Sequence, residues 1–457
     1  MTGLWLVQTA AERLAAARGG LDTPFPERLM GLVGIATMLA IAYAISYDRK
    51  RINWRMVGAG VALQIFFGFI VLKTAPGRWL FTFANDLVTR LLSFQEQGAR
   101  FVFGNLVRNE VPLGSGPGLV HCEACVAGVA QTGAFFAFNV LPTIIFFSAL
   151  MTVLYYLNVM QWVVKGIAWV MQKSLKTSGA ETLSAAGNIF LGQTEAPLLI
   201  KPFVGKMTNS ELNTVMVGGF ATVAGGVMAA YVGMLKGYFP DIAGHLLTAS
   251  VMNAPAGLLL SKMILPETGT PETRDTLHVV VEKQEANVID AAASGAATGV
   301  QLAINVAAML MAFVALVALL NYGVSWVGGL FGHPEVTLQW LLGKALWPIA
   351  VLMGVPPDDA GTVGSFIGVK TVLNEFVAYA DFAKQMGSGL VLSPKAAIMT
   401  TYCLLGFANF SSIAIQIGGI GGLAPHRRGD LSRLGLRAMV AGNLAAFMSA
   451  SIAGMLV

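Results

Sequence analysis

The chain has 457 residues, of which 55% are hydrophobic and only 12% charged. A soluble domain carries about twice that share of charge, so a soluble fold is excluded and a membrane protein expected. The net charge of +5 does not point to nucleic acid, because the basic residues gather in short loops between apolar runs.

Residues 1–29 contain Arg13, Arg18 and Arg28 and no apolar core before a small-residue cleavage site, so they read as an N-terminal extension with a surface helix. A span needs about 20 apolar residues. Such stretches fall at 30–47, 56–73, 135–157, 214–235, 244–265, 299–321, 396–418 and 438–457. Segment 79–94 differs: Leu80, Phe83, Ala84, Leu87, Val88 and Leu91 recur at helical spacing opposite Asp86 and Arg90. That pattern predicts an amphipathic helix at the membrane interface. Segment 159–175, with Trp162, Trp169, Lys165 and Lys173, predicts another.

Cys122 and Cys125 form a CxxC beside His121 in a Gly/Pro-rich loop. Three cysteines make no disulfide framework and zinc would need more ligands. The pair reads as a loop feature rather than a redox or metal site.

Segments 178–206 and 355–384 are interrupted by Gly, Pro and polar residues, and each carries a Glu amid apolar sequence, Glu195 and Glu375. A carboxylate at membrane depth costs about 2.5–3.5 kcal/mol even on lenient scales and marks a substrate or ion site. Irregular backbone at that depth must line a cavity or be buried in protein. Both segments are therefore expected to be re-entrant hairpins. Each precedes a span holding Gly-Phe-Ala, at Gly219–Ala221 and Gly406–Ala408. Paired interrupted segments in two halves point to a transporter site.

The expected fold is an all-α polytopic membrane protein: about eight transmembrane helices plus two re-entrant helical hairpins in inverted repeats, with interfacial helices. It divides into the extension 1–29, a scaffold part 30–157, a first repeat 158–265, a cytoplasmic loop 266–298, a scaffold span 299–338 and a second repeat 339–457. Basic clusters at Arg49–Arg55, Lys165–Lys206 and Arg427–Arg437 place those loops inside and both termini outside.

Asn188, Thr222 and the carbonyls of Leu191 and Val223 are hard neutral oxygen donors near breaks, a set that suits Na⁺. The plainer reading is that Asn188 and Thr222 cap broken helices. Gln193, Thr194, Glu195, Asn374, Glu375, Asn409, Ser411 and Ser412 offer amides, hydroxyls and carboxylates. With Phe407 as a flat face, they suit a polyhydroxylated ligand carrying a planar heterocycle. The plainer readings are core packing for Phe407 and ion pairs of the two Glu with Lys201 or Lys370.

The runs Asn188–Phe203 (NIFLGQTEAPLLIKPF), Asn374–Tyr379 (NEFVAY) and Gly406–Ile413 (GFANFSSI) resemble signatures of the concentrative nucleoside transporters, in the same order. The resemblance runs from about residue 30 to the C-terminus and is to the short bacterial members. It implies a homotrimer in the bacterial inner membrane, with an elevator-type transport domain in each protomer. It implies that Gln193, Thr194 and Glu195 face the nucleobase, with Val227, Leu302 and Phe407 as apolar walls. Glu375, Asn409 and Ser412 would take the ribose hydroxyls. Asn188 and Thr222, with the carbonyls of Leu191 and Val223, would hold Na⁺ as coupling ion. Expected substrates are uridine and cytidine, with adenosine tolerated. The alternatives are proton coupling on the same fold, or an intramembrane enzyme using Glu195 as a base; no nucleophile–base pair or HExxH supports the latter.

Overall fold

The computed structural model describes residues 23–107, 110–114, 126–131, 136–274 and 285–457. The Cys122–Cys125 loop and most of the N-terminal extension lie outside them. The helices of nine or more residues, in chain order, are α1 (Phe25–Ala44), α2 (Trp54–Lys73), α3 (Ala75–Phe103), α4 (Leu141–Tyr156), α5 (Val159–Leu175), α6 (Gly179–Gly187), α7 (Asn209–Ala221) and α8 (Gly225–Leu235). There follow α9 (Ile242–Ile264), α10 (Val288–Leu330), α11 (Leu338–Met353), α12 (Pro357–Val372), α13 (Glu375–Gly387), α14 (Pro394–Leu404), α15 (Phe410–Leu423) and α16 (Arg428–Leu456).

Six helical segments are long and apolar enough to cross a membrane: α1, α2, α7–α8 together, α9, α10 and Pro425–Leu456. The other two expected spans are α4 and the interrupted pair α14–α15. Helix α5 turns 78° from α4, and α12 turns 118° from α11. Both expected hairpins form. Hairpin 1 consists of α6, an irregular tip and a 3₁₀ arm, Ala196–Ile200. Hairpin 2 consists of α12 and α13, separated by two residues. The two halves then share one order: α5, hairpin 1, α7–α8 and α9; α11, hairpin 2, α14–α15 and α16.

Several expectations need correction. Glu110–Gly114 and Val126–Gln131 form a short antiparallel ladder, with Glu110 opposite Gln131, where no strand was expected. The expected loop 266–298 is shorter, because α10 begins at Val288 and Asn287 caps it through the N–H groups of Ile289 and Asp290. Small residues and Asp290 hide those turns from an apolar count. Helix α11 was not anticipated; at 16 residues it is too short to read as a span. The amphipathic helix runs from residue 75 to 103, not 79 to 94. Its inward face holds Asn85 and Gln95, which accept from Gly244 N–H at 3.4 Å and the Thr143 hydroxyl at 3.2 Å. Leu80, Phe83 and Leu87 point outward, as a lipid-facing surface requires.

Burial separates an inner from an outer set of helices. In α7–α8 and in α9, 89% of the apolar window is buried; in α10 the share is 17%. Helix α10 nevertheless grips α4 along Gly295, Gly299 and Ala303, spaced four apart. A Cβ on Gly295 would stand 2.7 Å from the Ala149 Cα, and one on Gly299 would stand 2.7 Å from the Ile145 Cα. Close backbone approach through small residues is how helices associate without a hydrophobic driving force.

Candidate functional site

Hairpin 1 is held at its base by polar caps. Ser178 and Thr208 each form a capping box, with Glu181 and Glu211. The buried Lys262 ammonium joins them, 2.7 Å from Glu181 and 3.1 Å from Glu267. Burial disfavours charge on Glu267, but the Lys262 ammonium, the Gly269 N–H and the Thr208 hydroxyl outweigh it and hold the carboxyl below its ordinary range.

The hairpin tip is pinned from two sides. The Phe190 carbonyl accepts from Gly225 N–H at 2.8 Å, and the Ile189 carbonyl from the Ser250 hydroxyl at 2.9 Å. These bonds bring Asn188 against Gly218 of α7, where a Cβ would stand 3.2 Å from Asn188 Nδ2. Asn188 is fully buried, and among the described residues neither its Oδ1 nor its Nδ2 has a partner. The Thr222 hydroxyl donates to the Gly218 carbonyl at 2.9 Å, leaving its lone pairs free. The Leu191 and Val223 carbonyls receive no backbone N–H among the described residues. An unsatisfied buried polar atom costs about 1–3 kcal/mol. Asn188 is the C-cap of α6, yet its side chain makes no capping bond. The capping reading thus fails for its amide.

A second cluster forms where the two breaks meet. Glu375 Oε2 accepts from Asn409 Nδ2 at 2.7 Å, and Oε1 from the Tyr231 hydroxyl at 3.3 Å. Asn409 also caps α15, its Oδ1 accepting from Ser412 N–H at 2.9 Å and the Ser411 hydroxyl at 2.7 Å. Gln193 Nε2 donates to the Ser412 hydroxyl at 3.3 Å, and Gln416 Nε2 donates to Gln193 Oε1 at 3.1 Å. Hairpin 1, hairpin 2, α8 and α15 thereby share one hydrogen-bonded group. Asn374 caps α13 through Val377 N–H at 2.8 Å and stands outside this chain of bonds.

Glu195 and Leu302 lie apart from that group. With Leu191 and Gly192 they line a cavity of about 550 Å³ between hairpin 1 and helices α4 and α10. Val227 is buried in α8, and Phe407 is half-buried with its N–H on the Thr222 carbonyl; neither lines this cavity. Thr194 packs against Gly419. Glu195 makes no ion pair with Lys201, nor Glu375 with Lys370, within 4.0 Å among the described residues. The structural ion-pair reading of both carboxylates falls. Tyr231 and Gln416 were not anticipated. The one signal for Tyr231 is that it is the single polar side chain of α8, and Gln416 follows Ser411 and Ser412 on the otherwise apolar α15.

Family models agree with this architecture. The N-terminal model of the Na⁺ dependent nucleoside transporters matches residues 33–106, and the C-terminal model residues 245–454. A nucleoside recognition model matches residues 137–237 between them. The chain belongs to the concentrative nucleoside transporter family. It is a nucleoside transporter of the membrane, and the family is one of transporters rather than enzymes, which answers the enzyme reading of Glu195. An uncharacterized transporter of Haemophilus influenzae is 44% identical over 94% of this chain and 98% of its own. Sodium/nucleoside cotransporter 1 of Rattus norvegicus is 41% identical over 99% of this chain and 68% of its own. The structure of CNTnw in an inward-facing, substrate-bound state is 44% identical, covers 94% of this chain and 97% of that one, and superposes with a TM-score of 0.82. An outward-facing CNTnw variant, also 44% identical, covers 95% and 99% and gives 0.86.

Proposed function

We propose that this transporter imports nucleosides by Na⁺ symport, with hairpin 1 as the coupling element. The observation that carries the reading is the Asn188 amide, buried against Gly218 with both polar atoms unpaired. Its Oδ1, the Thr222 hydroxyl and the free carbonyls of Leu191 and Val223 supply neutral hard oxygens. A set without a carboxylate suits a monovalent ion, since no fixed charge offsets a divalent one. Gln193, Thr194 and Glu195 follow directly in the chain and would face the nucleobase, with Val227, Leu302 and Phe407 as apolar walls. Glu375, Asn409 and Ser412 would take the ribose hydroxyls. A cation bound at Asn188 and a base bound at Gln193–Glu195 would stabilise the same hairpin geometry, which is the requirement for coupling.

The energetics suffice. One charge crossing about 100 mV gains about 2.3 kcal/mol, and a tenfold Na⁺ gradient adds about 1.4 kcal/mol. Together these concentrate a neutral nucleoside about 500-fold. The inner, buried helices would move as a body against α1, α2, α4 and α10 in an elevator, within a homotrimer. Similar CNTnw structures in inward-facing, intermediate and outward-facing states support that reading. The basic clusters support extracytoplasmic termini in a bacterial inner membrane. Uridine and cytidine are the favoured substrates, with adenosine tolerated.

The test is radiolabelled uridine uptake into proteoliposomes under an inward Na⁺ gradient, against choline at fixed pH. Accumulation only with Na⁺ supports symport. Equal uptake in choline overturns the sodium assignment, and a repeat in choline with an inward proton gradient then tests proton coupling.

A further inference from the structure

Lys370 lies in α12, the first arm of hairpin 2, and is fully buried. Buried charges ordinarily take an opposite charge, as Lys262 does with Glu181 and Glu267. Lys370 does not. Its Nζ donates to the carbonyls of Cys403 at 3.1 Å and Leu405 at 3.4 Å, and stands 5.9 Å from the Phe447 ring centroid. Cys403 and Leu405 close α14, the first half of a broken helix, where the helix dipole is negative.

The corresponding place in the first repeat is the end of α7. Setting Gly219-Phe220-Ala221 against Gly406-Phe407-Ala408 puts Leu405 opposite Gly218. The hydrogen bonds support that register. Each of the two Ala carbonyls accepts from an Asn of the span that follows: Ala221 from Asn253 at 2.7 Å, Ala408 from Asn443 at 2.9 Å. Among the described residues both Asn side chains leave Oδ1 without a partner. Gly218 is where the Asn188 amide lies and where the Thr222 hydroxyl donates. In each repeat the end of the hairpin's first arm meets the end of the first half-helix. Hairpin 1 brings a neutral amide with two open atoms to that junction. Hairpin 2 brings an ammonium whose partners are carbonyls.

We propose that the Lys370 ammonium is a tethered cation, filling in the second repeat the junction that Na⁺ fills in the first. This rests on the sodium site proposed above. It makes residue 370 the determinant of how many ions move with each nucleoside: the second repeat needs no mobile cation because its own is covalently attached.

Radioactive Na⁺ bound per protomer, and the Na⁺ dependence of uridine uptake, are measured for the wild type, Lys370→Ala and Lys370→Arg. Removing the ammonium frees the Cys403 and Leu405 carbonyls. The expected result is about one Na⁺ in the wild type and in Lys370→Arg and about two in Lys370→Ala, with the Hill coefficient rising from about 1 towards about 2, its ceiling for two sites. Lys370→Ala that folds and still binds the wild-type number of ions overturns the proposal, since a merely structural lysine would not change the ion count. Where Lys370→Ala is too unstable to assay, its melting temperature is compared in Na⁺ and choline. Recovery by Na⁺ beyond the wild-type shift supports the tethered cation; equal instability in both overturns it. A wild type that binds no Na⁺ refutes the Asn188 site instead. Lys370→Ala then still decides, because one ion gained supports the proposal and none gained overturns it.

Discussion

Phe407 donates its backbone N–H to the Thr222 carbonyl at 3.3 Å, joining the two interrupted helices at their breaks. Gly406, one residue earlier, makes this crossing possible. Its φ is +113°, and a Cβ there would stand 2.6 Å from the Phe220 oxygen and 2.9 Å from the Ala221 oxygen.

Gly406→Ala is therefore expected to destabilise the protein. The backbone strain alone costs about 1–3 kcal/mol, and the clash is with backbone that has no rotamer to yield. A thermal melt in detergent checks this against Gly418→Ala, where nothing lies within 4 Å of the added methyl. The control is expected to hold or gain stability, since Gly inside a helix costs roughly 0.5–1 kcal/mol relative to Ala.

Asn188→Leu is expected to separate stability from coupling. Leu removes two unpaired buried polar atoms, worth about 1–3 kcal/mol, so the melting temperature in Na⁺-free buffer should rise. The stabilisation that Na⁺ gives the wild type should vanish with it. An undiminished Na⁺ shift in the variant would remove Asn188 from the ion site.

Glu375→Gln is expected to weaken nucleoside binding by roughly 10- to 100-fold, because a charged acceptor contributes about 1.5–3 kcal/mol. One of the donors Asn409 Nδ2 and Tyr231 hydroxyl also loses its carboxylate oxygen. Equilibrium binding of uridine to folded protein is the measurement, and unchanged affinity would refute a ribose role.

Acid should loosen the base of hairpin 1. Burial opposes ionisation of Glu267, but Lys262, the Gly269 N–H and the Thr208 hydroxyl prevail, so its folded pKa lies below the unfolded value. Its contribution is then complete above the unfolded carboxylate pKa and is lost as pH falls through the folded one. Melting temperatures recorded across that acid range should fall more steeply for the wild type than for Glu267→Gln, and the two curves should converge at the acid end.

Much of this architecture is legible in the sequence. Six of the spans and both hairpins follow from runs of apolar residues and their interruptions. Helix α11 escapes because its 16 residues include Lys344 and Pro348, too few apolar positions for a span. The Gly-Phe-Ala repeat is real in its hydrogen bonds, yet its backbone differs: Gly219–Ala221 end α7, whereas Gly406–Ala408 lie inside the break. Tyr231 is the single polar side chain of α8, and Gln416 follows only Ser411 and Ser412 on α15. Their partners Glu375 and Gln193 are 144 and 223 residues away, so no local pattern announces them.

The sequence by itself determined that this chain lives in a bilayer, where its backbone breaks and that carboxylates sit at those breaks. Each of these depends on how a local segment is solvated, and lipid sets that rule residue by residue. Only the tertiary structure decided which polar atoms are paired. Asn188 and Lys370 both end a hairpin arm against a broken helix, yet one is left open and the other is closed by two carbonyls. That difference arises from contacts between elements distant in the chain, where packing fixes the partners.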